Sequence, residues 1–205
     1  MGSIYGLKPK FQALLRPLVN LLARAGVTAN QVTISAVVLS LATGAFIAWT
    51  RSGRLLLLLP MVLIVRMALN AIDGMLAREH HQKTALGAIL NELGDVIADT
   101  GLYLPLALLS GFDARLVVSL VLLAILTEMT GTIAVQIGAS RRYDGPLGKS
   151  DRAFVFGLLG LLIGAGAHIE RWIPYVLVAV NLLLIRTVWN RAAQALHESK
   201  IASGT

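Results

Sequence analysis

The chain has no cysteine among its 205 residues, so disulfides and thiol catalysis are excluded, although the compartment is not fixed by that absence. Charge is also scarce. Asp, Glu, Lys and Arg make up 14% of the chain, against about 25% in ordinary soluble domains. Acids are the scarcer sign, 11 against 18 Lys and Arg. No signal peptide is expected, because Lys8, Lys10, Arg16 and Arg24 interrupt the first apolar stretch. No soluble domain, low-complexity tail or repeat is visible.

What is present is apolar. Hydrophobic residues make up 56% of the chain and are spread along its whole length, which points to a polytopic membrane protein rather than a soluble domain with one anchor. A net charge of +7 could suggest nucleic acid. In a membrane chain the better reading is Lys and Arg held on one side against anionic headgroups, with membrane lipids and no nucleic acid as partners.

A spanning helix needs about 20 mostly apolar residues. The hydropathy pattern predicts an all-α fold with six spans, at about 32–50, 55–77, 85–110, 115–139, 153–168 and 172–190. The fifth, containing GLLGLLIGAG, is short and Gly-rich. Before the spans, residues 5–28 place Phe11, Leu14, Leu15, Leu18 and Leu22 among Lys10, Arg16 and Arg24 at helical spacing. That pattern predicts an amphipathic helix lying in the interface. The alternative is an extension of the first span, against which Pro17 and Gly26 argue. Six spans put both termini, the REHHQK loop and the SRRYDGPLGKSDR loop on one side. That side collects most of the Lys and Arg, leaving Arg51, Arg54, Arg115 and Arg171 opposite. The bias predicts that the termini face the cytoplasm.

The acids sit where a chain this apolar should not have them. Asn70, Asp73 and Ala77 share one face of the second span, and Gly87, Asn91, Asp95 and Asp99 recur every four residues on the third. A short loop makes the two helices antiparallel, so oxygens from both converge at the mouth of a cleft. Hard cations such as Mg²⁺ or Mn²⁺ favour such ligation. An ionised group in lipid costs at least ~2.5–3.5 kcal/mol, so these acids are candidate functional groups. The bland alternative is structural pairing with Arg66 or Arg78. Arg66 and Asp99 fall at matching depths and are expected to pair, with Glu128 the competing partner for Arg66.

The run Asp73-Gly74-x-x-Ala77-Arg78, then eight residues, then Gly87, then Asp95 eight further on, resembles the signature of the CDP-alcohol phosphotransferases, the CDP-alcohol phosphatidyltransferase family. The family pattern is D-x-x-D-G-x-x-A-R-x8-G-x3-D-x3-D. GVTANQVTI at 26–34 resembles the stretch leading into the family's first span, and GPLGKSDR at 145–152 the basic segment before its fifth. The resemblance covers the chain as one membrane domain, 1–205. Asn70 and Asn91 stand where the first and third aspartates belong.

The resemblance implies transfer of a phosphatidyl group from CDP-diacylglycerol to the hydroxyl of a small alcohol, free or phosphorylated, with release of CMP. It implies Mg²⁺ or Mn²⁺ on Asn70, Asp73, Asn91 and Asp95, with Asp95 the catalytic base. Gly74, Ala77, Arg78, Thr84 and Gly87 become nucleotide- and phosphate-binding candidates, with Thr84 equally readable as a helix N-cap. Lys149 and Arg152 become acceptor-binding candidates. Arg141 and Arg142 face either an anionic acceptor or lipid headgroups. His80 and His81 read as loop residues facing headgroups. A homodimer in a bacterial inner membrane, with its site on the cytoplasmic side, completes the expectation. The rival readings are a catalytically impaired scaffold, suggested by Asn70 and Asn91, a small CDP-alcohol:diacylglycerol phosphotransferase, and an ion-coupled transporter.

Overall fold

The computed structural model describes residues 8–203. Seven α-helices follow in order: α1 Lys8–Arg24, α2 Ala29–Thr50, α3 Leu58–Glu79, α4 Ala85–Tyr103, α5 Ala114–Ile133, α6 Lys149–Gly164 and α7 Ile173–Ser203. Short 3₁₀ turns precede α3 and follow α4 and α5, and there is no strand among the described residues. The helical expectation is met, but the six-span count is corrected. Four segments are long and apolar enough to cross a membrane: Ala29–Thr50, Gly53–Glu79, Ala114–Ile137 and Ile173–Ile201. The expected third span fails because α4 carries Glu92, Asp95 and Asp99 and gives way to a 3₁₀ turn at Pro105. The expected fifth fails on length. The 16 residues of α6 reach only about 24 Å at 1.5 Å per residue, short of a hydrocarbon core of about 30 Å.

Local sequence explains the helix ends. Thr28 caps α2, accepting from Gln31 N while the Gln31 side chain accepts from Thr28 N, a reciprocal capping box. Gly26, at φ 78°, turns the chain between α1 and α2, so α1 is a separate helix. Residues 5–7 of the expected amphipathic helix lie outside the described residues. α1 packs Leu15, Val19 and Leu22 against Ile72, Met75 and Leu76 of α3, and Arg16 pairs with Glu79 at 3.0 Å. α7 runs well past residue 190 because AAQALHESK holds good helix formers and no Gly or Pro.

α2 lies against both α3 and α4; α5 packs on α7, and α6 on α3. The α2–α4 seam is made by small residues. Gly87, Gly94 and Gly101 recur every seven residues on α4 and face α2. A Cβ on Gly94 would lie 3.1 Å from Val37, and one on Gly101 would lie 2.6 Å from Leu41. At Gly44 of α2 a Cβ would collide with the Gly101 carbonyl oxygen, so the helices touch backbone to backbone there. The glycines of α6 act alike: a Cβ on Gly160 would meet Leu56 O at 2.7 Å.

Exposure is inverted relative to a soluble bundle. Trp49, Met61, Ile64, Phe154 and Leu182 face outward, while Arg66, Asp73, Asp99, Arg152 and Arg191 are buried. Apolar side chains facing out and charges facing one another are what a lipid solvent demands. The chain is an integral membrane protein.

Candidate active site

α3 contributes Arg66, Asn70 and Asp73, and α4 contributes Asn91, Asp95 and Asp99. The antiparallel pairing brings most of them together. Asn70 Nδ2 donates to Asp95 Oδ1 at 3.4 Å. The Lys149 ammonium, at the first turn of α6, contacts the same oxygen. Arg66 reaches the Asp95 carbonyl at 3.2 Å. Asp73 is buried, and the Thr33 hydroxyl of α2 lies 2.8 Å from its Oδ2. Asp73 shares a face of α3 with Asn70, three residues before it, and Asn70 reaches Asp95, so the two acids line one cleft. Asn91 is half-buried on the same helix as Asp95.

The expected Arg66–Asp99 pair is present, with Nη1 and Oδ1 2.5 Å apart as a close ion contact. The sequence did not reveal that Asp99 serves a second cation: Arg152 reaches its Oδ2 through Nη2 at 2.7 Å and Nε at 3.2 Å. Glu128, named as a rival partner for Arg66, instead gathers Arg152 at 3.3 Å, Arg191 at 3.5 Å and Arg141 at 3.6 Å. Arg191 also donates to Thr127 O at 2.5 Å and to Asp144 O at 3.3 Å. At the rim, Arg141 pairs with Glu92 at 2.6 Å, and Arg142 with Asp144 at 2.7 Å and Glu198 at 2.5 Å. The hydrogen bonds that Arg142 donates to the Asp144 carboxylate hold its guanidinium above its ordinary pKa. Six cations and seven carboxylates, Asp73 included, share this cluster.

The remaining candidates sit nearby. A Cβ on Gly74 would lie 3.1 Å from the Arg78 guanidinium, so Arg78 folds back over Gly74. Arg78 is exposed and has no ion pair among the described residues. Ala77 is half-buried behind it. Thr84 is the N-cap of α4, its Oγ1 accepting from Gly87 N at 2.9 Å. Gly87 faces Asn30, whose Oδ1 would lie 2.7 Å from an added Cβ. His80 lies 3.2 Å from Asn20 Oδ1 of α1, outside the acid cluster. Thr33 and Arg191 are the residues missed. Thr33 belongs to GVTANQVTI, whose spacing hinted at it; an Arg inside an apolar helix was the signal for Arg191.

A divalent ion can be tested against these donors. Asp73 and Asp95 supply carboxylate oxygens, and Asn70 and Asn91 amide oxygens, all hard donors suited in kind to Mg²⁺ or Mn²⁺. With only two carboxylates and an ammonium already against Asp95, the set matches one ion better than two. No group of three or more His, Cys, Asp or Glu is arranged around a common metal position among the described residues.

The chain is 47% identical over 194 residues to the inner membrane protein YnbA of Escherichia coli K12, covering 95% of this chain and 96% of that one. Its fold is similar to two crystal structures of Mycobacterium tuberculosis phosphatidylinositol phosphate synthase, PgsA1. The one with CDP-DAG bound gives a TM-score of 0.66 at 21% identity, covering 90% of this chain and 92% of that one. The one in complex with manganese and citrate gives 0.70 at 23%, covering 89% and 87%. The model of the CDP-alcohol phosphatidyltransferase family matches residues 26–189, which include Asn70, Asp73, Asn91, Asp95, Asp99, Lys149 and Arg152, and the chain belongs to that family.

Proposed function

We propose that the protein transfers a phosphatidyl group from CDP-diacylglycerol to the hydroxyl of a small alcohol, releasing CMP, at the cytoplasmic face of a bacterial inner membrane. The observation that carries this reading is the convergence of Asp73 and Asp95 with Lys149 at one end of a bundle whose outer surface is apolar. PgsA1 with CDP-DAG bound supports the donor class, and its manganese complex supports the ion. A divalent ion, held by Asp73 and Asp95 with the Asn70 and Asn91 amide oxygens, would neutralise charge developing on the departing CMP.

The chain's own groups take the other roles. Asp95 presents the oxygen not engaged by Asn70 and Lys149 to the acceptor hydroxyl and takes its proton. Thr33 holds the Asp73 carboxylate in position. Arg78, unpaired beside Gly74, can swing onto the donor's phosphates. An apolar groove of about 580 Å³ between α2 and α4, lined by Leu41, Ile97, Leu104, Pro105 and Leu108, has room for an acyl chain. The exposed Leu14, Leu18 and Leu21 of α1 support a helix resting in the interface, and the excess of Lys and Arg supports termini in the cytoplasm. The working unit is a homodimer.

The test is purified protein in lipid vesicles with CDP-diacylglycerol, Mg²⁺ or Mn²⁺ and a panel of alcohols. CMP release with a new phospholipid, stopped by a chelator, is expected. Release that ignores the chelator would sink the metal role. No release with any alcohol would favour the second reading, a binding scaffold, to which Asn70 and Asn91 point by removing two carboxylates from the signature.

A further inference from the structure

Taking the phosphatidyl-transfer reading as its base, we infer that the acceptor is an uncharged polyhydroxy alcohol and that a phosphorylated acceptor is excluded. The ground is the state of the cations beside Asp95. A phosphate is held most firmly by guanidinium or ammonium groups whose charge no carboxylate already neutralises. Around Asp95, Arg141, Lys149, Arg152 and Arg191 each already end on a carboxylate of the chain. Arg152 is 1% exposed and Arg191 2%; both are held by Glu128, and Arg152 by Asp99 as well. Arg141 spans Glu92 and Glu128, and Lys149 lies on Asp95.

A phosphate entering here would either strip a guanidinium from its carboxylate and leave that carboxylate buried and unpaired, which is heavily penalised, or share Lys149, whose charge Asp95 already neutralises. It would also approach a cluster in which carboxylates already outnumber cations by one, six cations to seven carboxylates. One divalent ion turns that deficit into a single positive charge, and the anionic donor consumes it. Nothing remains to offset a second phosphate.

The same groups suit hydroxyls. Glu92 and Lys149, both partly exposed, form a rim of acceptors and donors. Thr132 adds a hydroxyl 3.3 Å from Glu92. A polyol can donate to the carboxylates and accept from the ammonium without disturbing either charge.

Two measurements on the full chain test this. The first is thermal unfolding of the detergent-solubilised protein in inorganic phosphate against chloride at matched ionic strength. Wild type is expected to show no phosphate-specific stabilisation. Glu128→Gln, and Glu92→Gln at the exposed rim should the first not fold, are expected to gain it. Phosphate stabilisation of wild type would overturn the inference.

The second measurement is CMP release with acceptors offered in pairs, inositol with inositol phosphate and glycerol with glycerol 3-phosphate. The uncharged member of any reacting pair is expected to win by about tenfold or more in kcat/KM. A preference for the phosphorylated member would overturn the inference. Should no pair release CMP, the transfer reading falls, and the phosphate measurement decides the charge question by itself.

Discussion

Two sides of the same cleft treat charge in opposite ways. On the α3–α4 side near its mouth, Asp73 is supported by a hydroxyl and Asp95 by an amide, one ammonium and, at 4.0 Å, Arg66, while Arg78 is unpaired among the described residues. On the α5–α7 side Arg141, Arg152 and Arg191 interlock with Glu92, Asp99 and Glu128 until little charge is left to offer. The first side has unfilled valence for a cation and phosphates. The second is a network of cations and carboxylates that largely neutralise one another. Buried acids such as Asp73 and Asp99 can therefore differ in kind of partner, a hydroxyl for one and two guanidinium groups for the other.

The sharpest way to break that contrast is at Asp95. Asp95→Asn keeps the shape and removes the base, so turnover should fall by about 10²–10⁴ while CDP-diacylglycerol still binds. CMP release and a donor-binding isotherm would check both halves. A variant with near-normal turnover would move the base elsewhere, with Glu92 the next group to examine.

The network side should respond in stability rather than rate. Asp99→Ala strands Arg66 and Arg152 together, and removing one partner of a buried pair costs about 3–5 kcal/mol. Denaturant unfolding of Asp99→Ala, Arg66→Ala and the double variant should show the double milder than the sum. Strict additivity would mean that the contact contributes nothing.

A third change sharpens the unfilled side. Asn70→Asp and Asn91→Asp each add a carboxylate, so the metal concentration for half-maximal CMP release should fall. The number of Mn²⁺ bound, counted by electron paramagnetic resonance, should rise with it. Flat affinity in both variants would mean that these positions do not face the ion. The smallest effect is expected for Thr33→Val, which removes one hydrogen bond from Asp73. Its loss is worth about 1.5–3 kcal/mol because the acceptor is charged, and should appear as weaker metal binding with little change in fold.

The acid pattern on α3 and α4 was legible because helical periodicity maps spacing directly onto a face. The same arithmetic placed Arg66 against Asp99, and the structure shows that pair. Long-range partners were not legible. Nothing local in the sequence tells Arg152 to prefer Asp99, or Arg191 to find Glu128, since these contacts depend on how α6 and α7 dock. The span count failed at α4 and α6, where hydropathy was averaged across a Pro-containing turn and a short Gly-rich helix. The end of α7 was misplaced because apolarity stops at about residue 190 while helix propensity does not.

The glycines of α4 have a further consequence. Gly87, Gly94 and Gly101 set the rotational phase of that helix against α2, because only the bare side of α4 can approach so closely. Asp95 lies about 100° round the helix from Gly94, and Asp99 about 140°, so the seam aims both acids towards α3 and α6. One inserted residue between Gly87 and Gly94 would turn everything downstream by about 100° relative to what precedes it. Gly87 would then compete with Gly94 and Gly101 for the setting of the helix, and Asp95 and Asp99 would follow the downstream pair. Seven inserted residues would nearly restore the phase, missing by about 20°. The aim of the acids is thus written in three missing side chains.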